Sequence, residues 1–294
     1  MKLIDFIQES AARLETAGVS FGHGTTNAFD EAVWLVLWSL GLPLDELESV
    51  EQRELSADEF KQASALLDER ITTRKPAAYL THEAWLQGVP FYVDERSIVP
   101  RSFIAELLAN GSLDVWLSDR TVRVLDLCTG NGSLAVLSAM AYPDVTVTGS
   151  DLSPEALAVA RINVDKHGLQ ERITLVQGDG LSAVQGQCFD LIVCNPPYVN
   201  ASSMAALPEE YQAEPELALA SGKDGMDFCR ALLTQVADCM SEHAVLVLEI
   251  GNEREHFERA FPNLPVYWLS TSAGDDQVLL IERDALLNFS DPIA

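Results

Sequence analysis

Apolar residues recur at helical spacing over residues 1–82. One apolar helical face consists of Leu3, Ile4, Ile7, Ala11 and Leu14. A second apolar helix is predicted around Trp34 and Trp38, whose rings we expect in the core. Ser56, followed three residues later by Glu59, is the signature of a capping box, which opens a third helix. The pattern therefore predicts an all-helical N-terminal region that ends near residue 82.

The pattern changes over residues 83–98. Strand-forming residues surround Gln87 and Gly88 in the stretch EAWLQGVPFYVDE, which predicts a short β-hairpin. A helix is then expected roughly from Phe103 to Leu117. We therefore predict a hairpin linker over residues 83–98, followed by a larger domain over residues 99–294.

From Val122 onward, apolar runs of strand length alternate with helical stretches. The runs are VRVLDL, VTVTGSD, ITLVQGD, FDLIVCN and AVLVLEI, with two closing strands near PVYWL and QVLLIE. The last two helices are predicted from about Asp227 to Met240 and from about Glu253. Alternation at this spacing predicts an α/β fold, in which helices cover both faces of a parallel sheet. The connection over residues 199–224 is long, and such loops are usually functional.

The cysteines and histidines show no pattern typical of a metal site. The five cysteines are Cys128, Cys188, Cys194, Cys229 and Cys239. Their odd number and the lack of a Cys-x-x-Cys pair favour buried, reduced thiols in a cytosolic protein. The five histidines are scattered, so we predict no structural metal.

The strongest compositional feature is a net charge of −26, from 45 acidic and 19 basic residues. This charge disfavours a substrate bound along an extended nucleic-acid backbone, which requires clustered lysine and arginine. Solubility, a salt-adapted source and attraction to a strongly basic partner all remain compatible with it. No apolar run reaches membrane-spanning length and the first residues lack a secretory signal, so we expect a cytoplasmic protein without membrane contact.

The first strand of the predicted sheet ends in a glycine-containing loop, VLDLCTGNGSLAV. Gly130 and Gly132 allow a tight turn that brings backbone N–H groups close to a ligand at the start of the next helix. Asp151 ends the second strand, where an acid can accept hydrogen bonds from a ribose diol. These features fit both a nicotinamide dinucleotide and S-adenosylmethionine.

Asp126, at the very end of that first strand, favours S-adenosylmethionine over a nicotinamide dinucleotide. A carboxylate there suits the ammonium group of S-adenosylmethionine, whereas it would repel a pyrophosphate. Asp179 follows the third strand and is placed to meet an adenine amine, although an ordinary turn aspartate is an equally good explanation. The sequence therefore favours S-adenosylmethionine as the bound cofactor.

The fourth strand ends in an unusual corner, Asn195-Pro196-Pro197-Tyr198. The Asn195 side-chain oxygen and the Pro196 carbonyl can both accept hydrogen bonds from one planar –NH₂ group, on which the Tyr198 ring can stack. Two fixed acceptors orient a poorly nucleophilic nitrogen and favour the charge that builds on it during methyl transfer. The corner therefore predicts a methyltransferase that acts on a planar amine or amide.

Together, this corner and the glycine loop resemble the class I methyltransferases that act on adenine, guanine or protein glutamine. The helical N-terminal region and the linker HEAWLQGVPFYVDERSIVPRS make the chain similar to the HemK/PrmB family of protein-glutamine methyltransferases. The linker is closer to the branch acting on ribosomal protein L three than to the release-factor branch. Two positions depart from the family pattern: Cys128 replaces a frequent glycine, and Phe103 replaces an expected proline.

The resemblance implies a Rossmann-like class I fold and the residues of its site. Contacts to S-adenosylmethionine are implied for Asp126, Cys128, Thr129, Gly130, Asn131, Gly132, Asp151, Asp179 and Gly180. Contacts to a substrate glutamine are implied for Asn195, Pro196, Pro197 and Tyr198. Arg101 and Glu106 lie in the linker motif, where they either shape the substrate side of the pocket or form a buried structural ion pair.

The implied activity is methylation of a glutamine side-chain amide in ribosomal protein L three. Because that protein is strongly basic as a class, an acidic enzyme would gain association rate by electrostatic steering. The alternatives are a release-factor glutamine methyltransferase, a nucleic-acid amine methyltransferase, and a non-catalytic assembly factor for a nascent ribosomal protein.

Overall fold

The computed structural model describes residues 1–289. Its N-terminal region contains only helices until the hairpin begins: α1 Leu3–Thr16, α2 Ala28–Ser39, α3 Leu47–Val50, α4 Ala57–Thr73 and α5 Ala77–Thr81. The capping box at the start of α4 is confirmed, since Ser56 Oγ accepts from the Glu59 N–H and Glu59 Oε2 accepts from the Ser56 N–H. Trp34 is buried as predicted, but Trp38 is 37% exposed, so its assignment to the core is wrong.

The predicted hairpin is confirmed as β1 Ala84–Leu86 paired with β2 Val89–Phe91. Its two turn residues, Gln87 and Gly88, both have positive φ, at 51° and 74°. Turns with this geometry match the right-handed twist of the flanking strands. The hairpin therefore provides a tight connection into the sheet domain.

The central sheet has seven strands in the order β5-β4-β3-β6-β7-β9-β8. Their bounds are β3 Arg123–Leu127, β4 Thr146–Asp151, β5 Ile173–Gln177, β6 Phe189–Cys194, β7 Met240–Glu249, β8 Tyr267–Thr271 and β9 Gly274–Glu282. The first five are parallel, as predicted, whereas β9 runs antiparallel to both β7 and β8. Only two residues separate β8 from β9. Because a parallel crossover needs a dozen or more residues, these two strands can pair only in the antiparallel direction.

Helices flank the sheet on both faces. Their bounds are α6 Ile104–Ala109, α7 Ser133–Ala141, α8 Pro154–Lys166, α9 Ala201–Met204, α10 Glu209–Gln212, α11 Asp227–Leu233, α12 Arg254–Ala260 and α13 Arg283–Leu287. The predicted helix from Phe103 to Leu117 is too long, because α6 ends before Gly111, which adopts a φ of 72°. The helix predicted up to Met240 also ends early, at Leu233, and a short 3₁₀ turn follows it over Val236–Cys239.

Two buried apolar clusters fill the space between the sheet and its helices, and a third lies in the helical region. The cysteines are free thiols, as predicted, but Cys188 is exposed and Cys128 is only partly buried. Within residues 1–289, no group of three His, Cys, Asp or Glu side chains is arranged to hold a metal ion. No helix in that same range combines the length and apolar character that a membrane span requires.

Strand order brings the two candidate motifs together. The chain reverses its direction of sheet growth between β3 and β6, which are adjacent parallel strands with Leu127 paired to Cys194. The glycine loop leaves the end of β3 and the Asn195 corner leaves the end of β6, so both lie at one carboxyl edge. In open α/β sheets such a reversal point is the usual place for a ligand.

Candidate active site

The glycine loop connects β3 to α7 in a sharply turned conformation. Cys128, Gly130 and Gly132 all have positive φ, at 62°, 54° and 79°. A side chain at Gly132 would bring its Cβ to 3.0 Å from the Cβ of Ala160 in α8. Gly132 therefore lets α7 pack closely against α8, while Gly130 has open space where a side chain would stand.

Asp151, at the end of β4, holds the loop in place. Its Oδ2 accepts from the Gly130 N–H at 2.8 Å and its Oδ1 accepts from the Ser153 N–H at 2.9 Å. Burial raises the pKa of this carboxyl group above its ordinary value, although the two N–H donors oppose the shift. Each carboxylate oxygen has further acceptor capacity, which is available on the cavity side.

Asp126 lies beneath the loop rather than on the cavity wall. It is fully buried, and its Oδ2 accepts from the Thr129 hydroxyl group. Its Oδ1 has no hydrogen-bond partner within residues 1–289. Burial raises the pKa of Asp126 to about 7, although the hydrogen bond from the Thr129 hydroxyl group opposes the shift.

The first cavity, of about 370 Å³, opens above the carboxyl ends of β3, β4 and β6. Its walls include seven of the predicted site residues: Cys128, Gly130, Asp151, Asp179, Gly180, Asn195 and Pro197. Thr129, Asn131 and Gly132 do not line it. Asn131 is buried, where its Oδ1 accepts from the Ser133 N–H and its carbonyl accepts from Asn163. These three residues shape the loop from behind.

A second cavity, of about 350 Å³, lies on the other side of the Asn195 corner. Pro196 and Tyr198 line this cavity, and Asn195 lines both cavities. The side-chain amide of Asn195 makes no hydrogen bond to another side chain or backbone group within residues 1–289. The corner is therefore the partition between the two cavities, and its amide is free to bind a ligand.

Two glycines hold Tyr198 in place. A Cβ at Gly251 would lie 2.5 Å from the Tyr198 ring, and a Cβ at Gly225 would lie 2.2 Å from the Tyr198 carbonyl oxygen. Both glycines also have positive φ, at 54° and 79° respectively. The backbone thus packs directly against Tyr198 from two loops that the sequence did not identify as part of the site.

Glu249, at the end of β7, is a further buried acid that the sequence did not identify. Its Oε2 accepts from the Ser102 hydroxyl group at 2.6 Å and from the Phe103 N–H at 2.9 Å, which fixes the start of α6. Burial raises the pKa of Glu249 to about 7, and the carboxyl group lies beside Tyr198 and Arg101. No local pattern in the AVLVLEI run distinguishes this acid from a surface residue.

The sequence left open whether Arg101 shapes the substrate side of the pocket or forms a buried ion pair, and its observed contacts are compatible with either role. It lines the second cavity, and it also forms a bidentate ion pair with the buried Glu214, at 2.6 and 2.7 Å. Burial alone would raise the pKa of Glu214, but Arg101 and His23 together lower it to about 2. Glu106 meets neither description, because it accepts from the Ser272 N–H on the exposed turn between β8 and β9.

Residues 199–224 form a covering segment that reaches over both cavities. Pro215 and Ser221 line the first cavity, Tyr211 lines the second, and Ala218 lines both. Within this segment, Glu210 Oε1 accepts from the Ser20 N–H at 3.1 Å and pairs with arginines of α4 and its C-cap, Arg70 and Arg74. The long connection is thus anchored to the helical region by buried carboxylates.

Comparisons with known proteins agree with this architecture. The family model described as methyltransferase small domain matches residues 107–220. The chain is 51% identical to the ribosomal protein uL3 glutamine methyltransferase of Bordetella pertussis, over 97% of this chain and 96% of that protein. It is 50% identical to the protein of the same name from Burkholderia pseudomallei, over 96% and 94% of the two chains.

A third relative and a solved structure are also similar to the chain. The chain is 49% identical to the Neisseria gonorrhoeae protein of the same name, over 96% of this chain and 95% of that one. A crystal structure of the hMettl16 catalytic domain in complex with MAT2A 3′UTR hairpin 6 matches with a TM-score of 0.51. It is 12% identical and covers 81% of this chain and 84% of that chain, so it shows the fold alone. The fold is that of a class I S-adenosylmethionine-dependent methyltransferase, as predicted.

Proposed function

The chain belongs to the family of ribosomal protein uL3 glutamine methyltransferases, and we propose that it methylates the N5 atom of a glutamine in ribosomal protein uL3. The observation that carries this proposal is the Asn195 corner, which separates two cavities of similar size. One cavity suits a nucleoside and the other suits a side chain, and the corner would present a pair of hydrogen-bond acceptors between the two reactants.

The first cavity has the polar groups that S-adenosylmethionine requires. Asp151 would accept hydrogen bonds from the ribose diol, and Asp179, which also lines the cavity, would meet the adenine amine. The open space over Gly130 would accommodate the amino-acid tail, and the buried Asp126 carboxyl group, whose Oδ1 has no hydrogen-bond partner within residues 1–289, lies beneath the same loop. When bound, S-adenosylmethionine supplies an electrophilic methyl group.

The corner would bind and orient the amide that receives the methyl group. Asn195 Oδ1 and the Pro196 carbonyl oxygen accept one hydrogen bond each from the glutamine –NH₂, while Tyr198 packs against its plane. Because both acceptors are fixed by the chain, they favour the positive charge that develops on nitrogen without reorganising. As the N–C bond forms, the S–CH₃ bond of S-adenosylmethionine would break, its electron pair would stay on sulfur, and S-adenosylhomocysteine would leave. The nitrogen would release one proton to solvent, which yields an N5-methylated glutamine.

The proposed protein substrate agrees with the charge of the chain. The relatives are named for ribosomal protein uL3, which is basic as a class, whereas this chain has a net charge of −26. We propose that residues 1–82 recognise the substrate, that residues 83–98 are a linker, and that residues 99–294 are the catalytic domain. A cytoplasmic location and the lack of extended nucleic-acid or membrane binding follow from the same proposal.

Methylation assays with purified substrates test this function. Purified uL3, a peptide chain release factor and total RNA are each incubated with the protein and S-adenosylmethionine, and products are measured by intact mass and fragmentation. We expect one added methyl group on a uL3 glutamine amide. Methylation of the release factor instead would identify a release-factor glutamine methyltransferase. Methyl transfer to RNA alone would overturn protein methylation.

A further inference from the structure

Two connected grooves lie on the helical region and the hairpin, away from both active-site cavities. The smaller has a volume of about 260 Å³ and the larger about 610 Å³, and Leu44 and Trp85 line both. None of the residues lining these grooves lines either active-site cavity. We call this continuous surface the tryptophan groove.

The floor of the tryptophan groove exposes large apolar side chains. Trp38 is 37% exposed at the end of α2, and Trp85 is 48% exposed on the hairpin. An exposed indole is a common anchor of protein interfaces, because it offers a large apolar area together with a polar N–H. Here the Trp85 N–H donates to Glu83 Oε1 at 2.8 Å, so a carboxylate is fixed beside the ring.

Every charged side chain that lines the tryptophan groove is acidic. Asp30 lines the smaller part, and Asp45 and Glu83 line the larger part. No lysine, arginine or histidine is among the lining residues of either part. Carboxylates beside exposed indole faces form a surface that attracts cations through both ion pairing and cation–π contact.

From this geometry we infer that the tryptophan groove binds a lysine- or arginine-rich segment of the protein substrate, outside the segment that contains the target glutamine. The inference rests on the proposed function for the identity of that substrate. A second copy of the chain does not fit as the occupant, because each copy has a charge of −26 and the groove itself is acidic. The groove is thus a docking site that raises the affinity for substrate without contacting the reacting atoms.

The test compares charge-neutralising variants of the groove with a matched control. The groove variant combines Asp30→Asn, Asp45→Asn and Glu83→Gln, which keeps the acceptor for the Trp85 N–H. The control combines Asp119→Asn, Asp144→Asn and Glu171→Gln, three exposed carboxylates that line neither part of the groove. Both variants remove three negative charges, so any general loss of electrostatic attraction for the basic substrate is the same in both. A difference between them therefore reports on the groove.

Binding of purified uL3 is measured by calorimetry at moderate salt, together with steady-state methylation. We expect the groove variant to bind uL3 roughly tenfold more weakly than the control variant, with KM raised to the same extent and kcat unchanged. Trp85→Ala should weaken binding by a similar factor through loss of the cation–π contact and apolar area. S-adenosylmethionine affinity verifies that each variant is folded.

Groove and control variants with equal affinity for uL3 would overturn the inference. Failure of the wild-type protein to bind uL3 would overturn it as well. Wild-type binding of uL3 without methylation is a different result, because it would contradict the proposed function while the affinity comparison still decides whether the groove is the docking site. A lower kcat in the groove variant, with unchanged KM, would contradict a docking role.

Discussion

The walls of the two active-site cavities are built in different ways. The first cavity is built around backbone turns at the ends of adjacent parallel strands, with Asp151 bonded directly to the Gly130 N–H, and the covering segment contributes the rest of its wall together with residues 96–98 and 227–228. The second is lined by side chains from segments far apart in the chain, such as Arg101, Tyr198 and Tyr211, and Arg101 is paired with the buried Glu214. A backbone wall depends on sheet register, whereas a side-chain wall depends on long-range ion pairs and packing.

This difference indicates which cavity tolerates change. The glycine loop and Asp151, on the donor side, depend on the register of β3, β4 and β6. The substrate side requires the covering segment to remain attached to both the linker and the helical region through Glu210 and Glu214. We therefore expect substitutions on the substrate side to alter substrate handling while S-adenosylmethionine affinity stays near its wild-type value.

The largest expected effect comes from Asn195→Ala, at the partition between the two cavities. Removing one of two fixed acceptors should lower the single-turnover rate of methyl transfer by about 10²–10³, as for other preorganised polar contacts. Affinity for S-adenosylmethionine should change little, since Asp151 and the glycine loop supply the other contacts. The effect is measured as the single-turnover rate of methyl transfer with S-adenosylmethionine and the protein substrate both saturating. A near-normal rate would show that the corner only ends the strand and has no role in methyl transfer.

Glu214→Ala should produce the next largest effect, on stability and on the substrate side. The substitution leaves Arg101 without its buried partner, and such changes cost about 3–5 kcal/mol. Because Arg101 is 25% exposed, we expect the lower end, about 3 kcal/mol in the free energy of unfolding. Urea unfolding measures it, with the exposed neighbour Glu216→Ala as the control. Equal midpoints for both variants would show that the pair is not required.

The pH dependence of the same pair has a definite sign. The pKa of Glu214 is lowered from 4.5 to about 2 in the folded state. Its contribution to stability is therefore present above pH 4.5 and is lost as the pH falls toward 2. Between these two pH values the wild-type protein should lose stability more steeply than Glu214→Ala, and parallel curves would contradict the ion-pair assignment.

Much of the fold could be predicted from the sequence, and so could the placement of five of the expected S-adenosylmethionine contacts on the wall of the first cavity. The capping box at Ser56, the hairpin at Gln87 and the five parallel strands depend on local pattern, and the structure contains all of them. The position of Asp151 on the first cavity follows from strand alternation alone, because carboxyl ends of parallel strands meet at one edge. These features are short-range, so a single sequence is sufficient.

The substrate side could not be predicted in the same way. The partner of Arg101 is Glu214, more than a hundred positions away, and nothing near either residue indicates the pairing. Gly225 and Gly251 were missed because their importance lies in contact with Tyr198, not in any turn motif. The long segment over residues 199–224 was the single available signal, since its length predicted a functional role without identifying its contacts.

A smaller effect is expected for Asp151→Asn on the donor side. The amide keeps one acceptor oxygen for the Gly130 or Ser153 N–H, so the loop should hold its shape, but the charge that strengthens a ribose hydrogen bond is lost. A charge-assisted hydrogen bond contributes about 1.5–3 kcal/mol, so affinity for S-adenosylmethionine should fall roughly tenfold or more. Calorimetry measures it, and unchanged affinity would remove Asp151 from the donor site.

The smallest expected effect tests whether the donor wall depends on backbone rather than side chains. Cys128 has a φ of 62°, in the region that favours glycine, and its thiol packs against the sheet core beside Cys194. Cys128→Ala removes the thiol and keeps the strained backbone, whereas Cys128→Gly removes both. Left-handed geometry costs a residue with a Cβ about 1–2 kcal/mol, and the unfolded-state entropy of glycine offsets about 0.5–1 of it. Cys128→Gly should therefore be more stable than Cys128→Ala by roughly 0.5–1 kcal/mol, with equal affinity for S-adenosylmethionine. An alanine variant that is the more stable one would contradict the strain at this position. If both variants bind S-adenosylmethionine more weakly than the wild-type protein, the Cys128 side chain contributes to the donor wall and the contrast between the two cavities is weaker than the structure indicates.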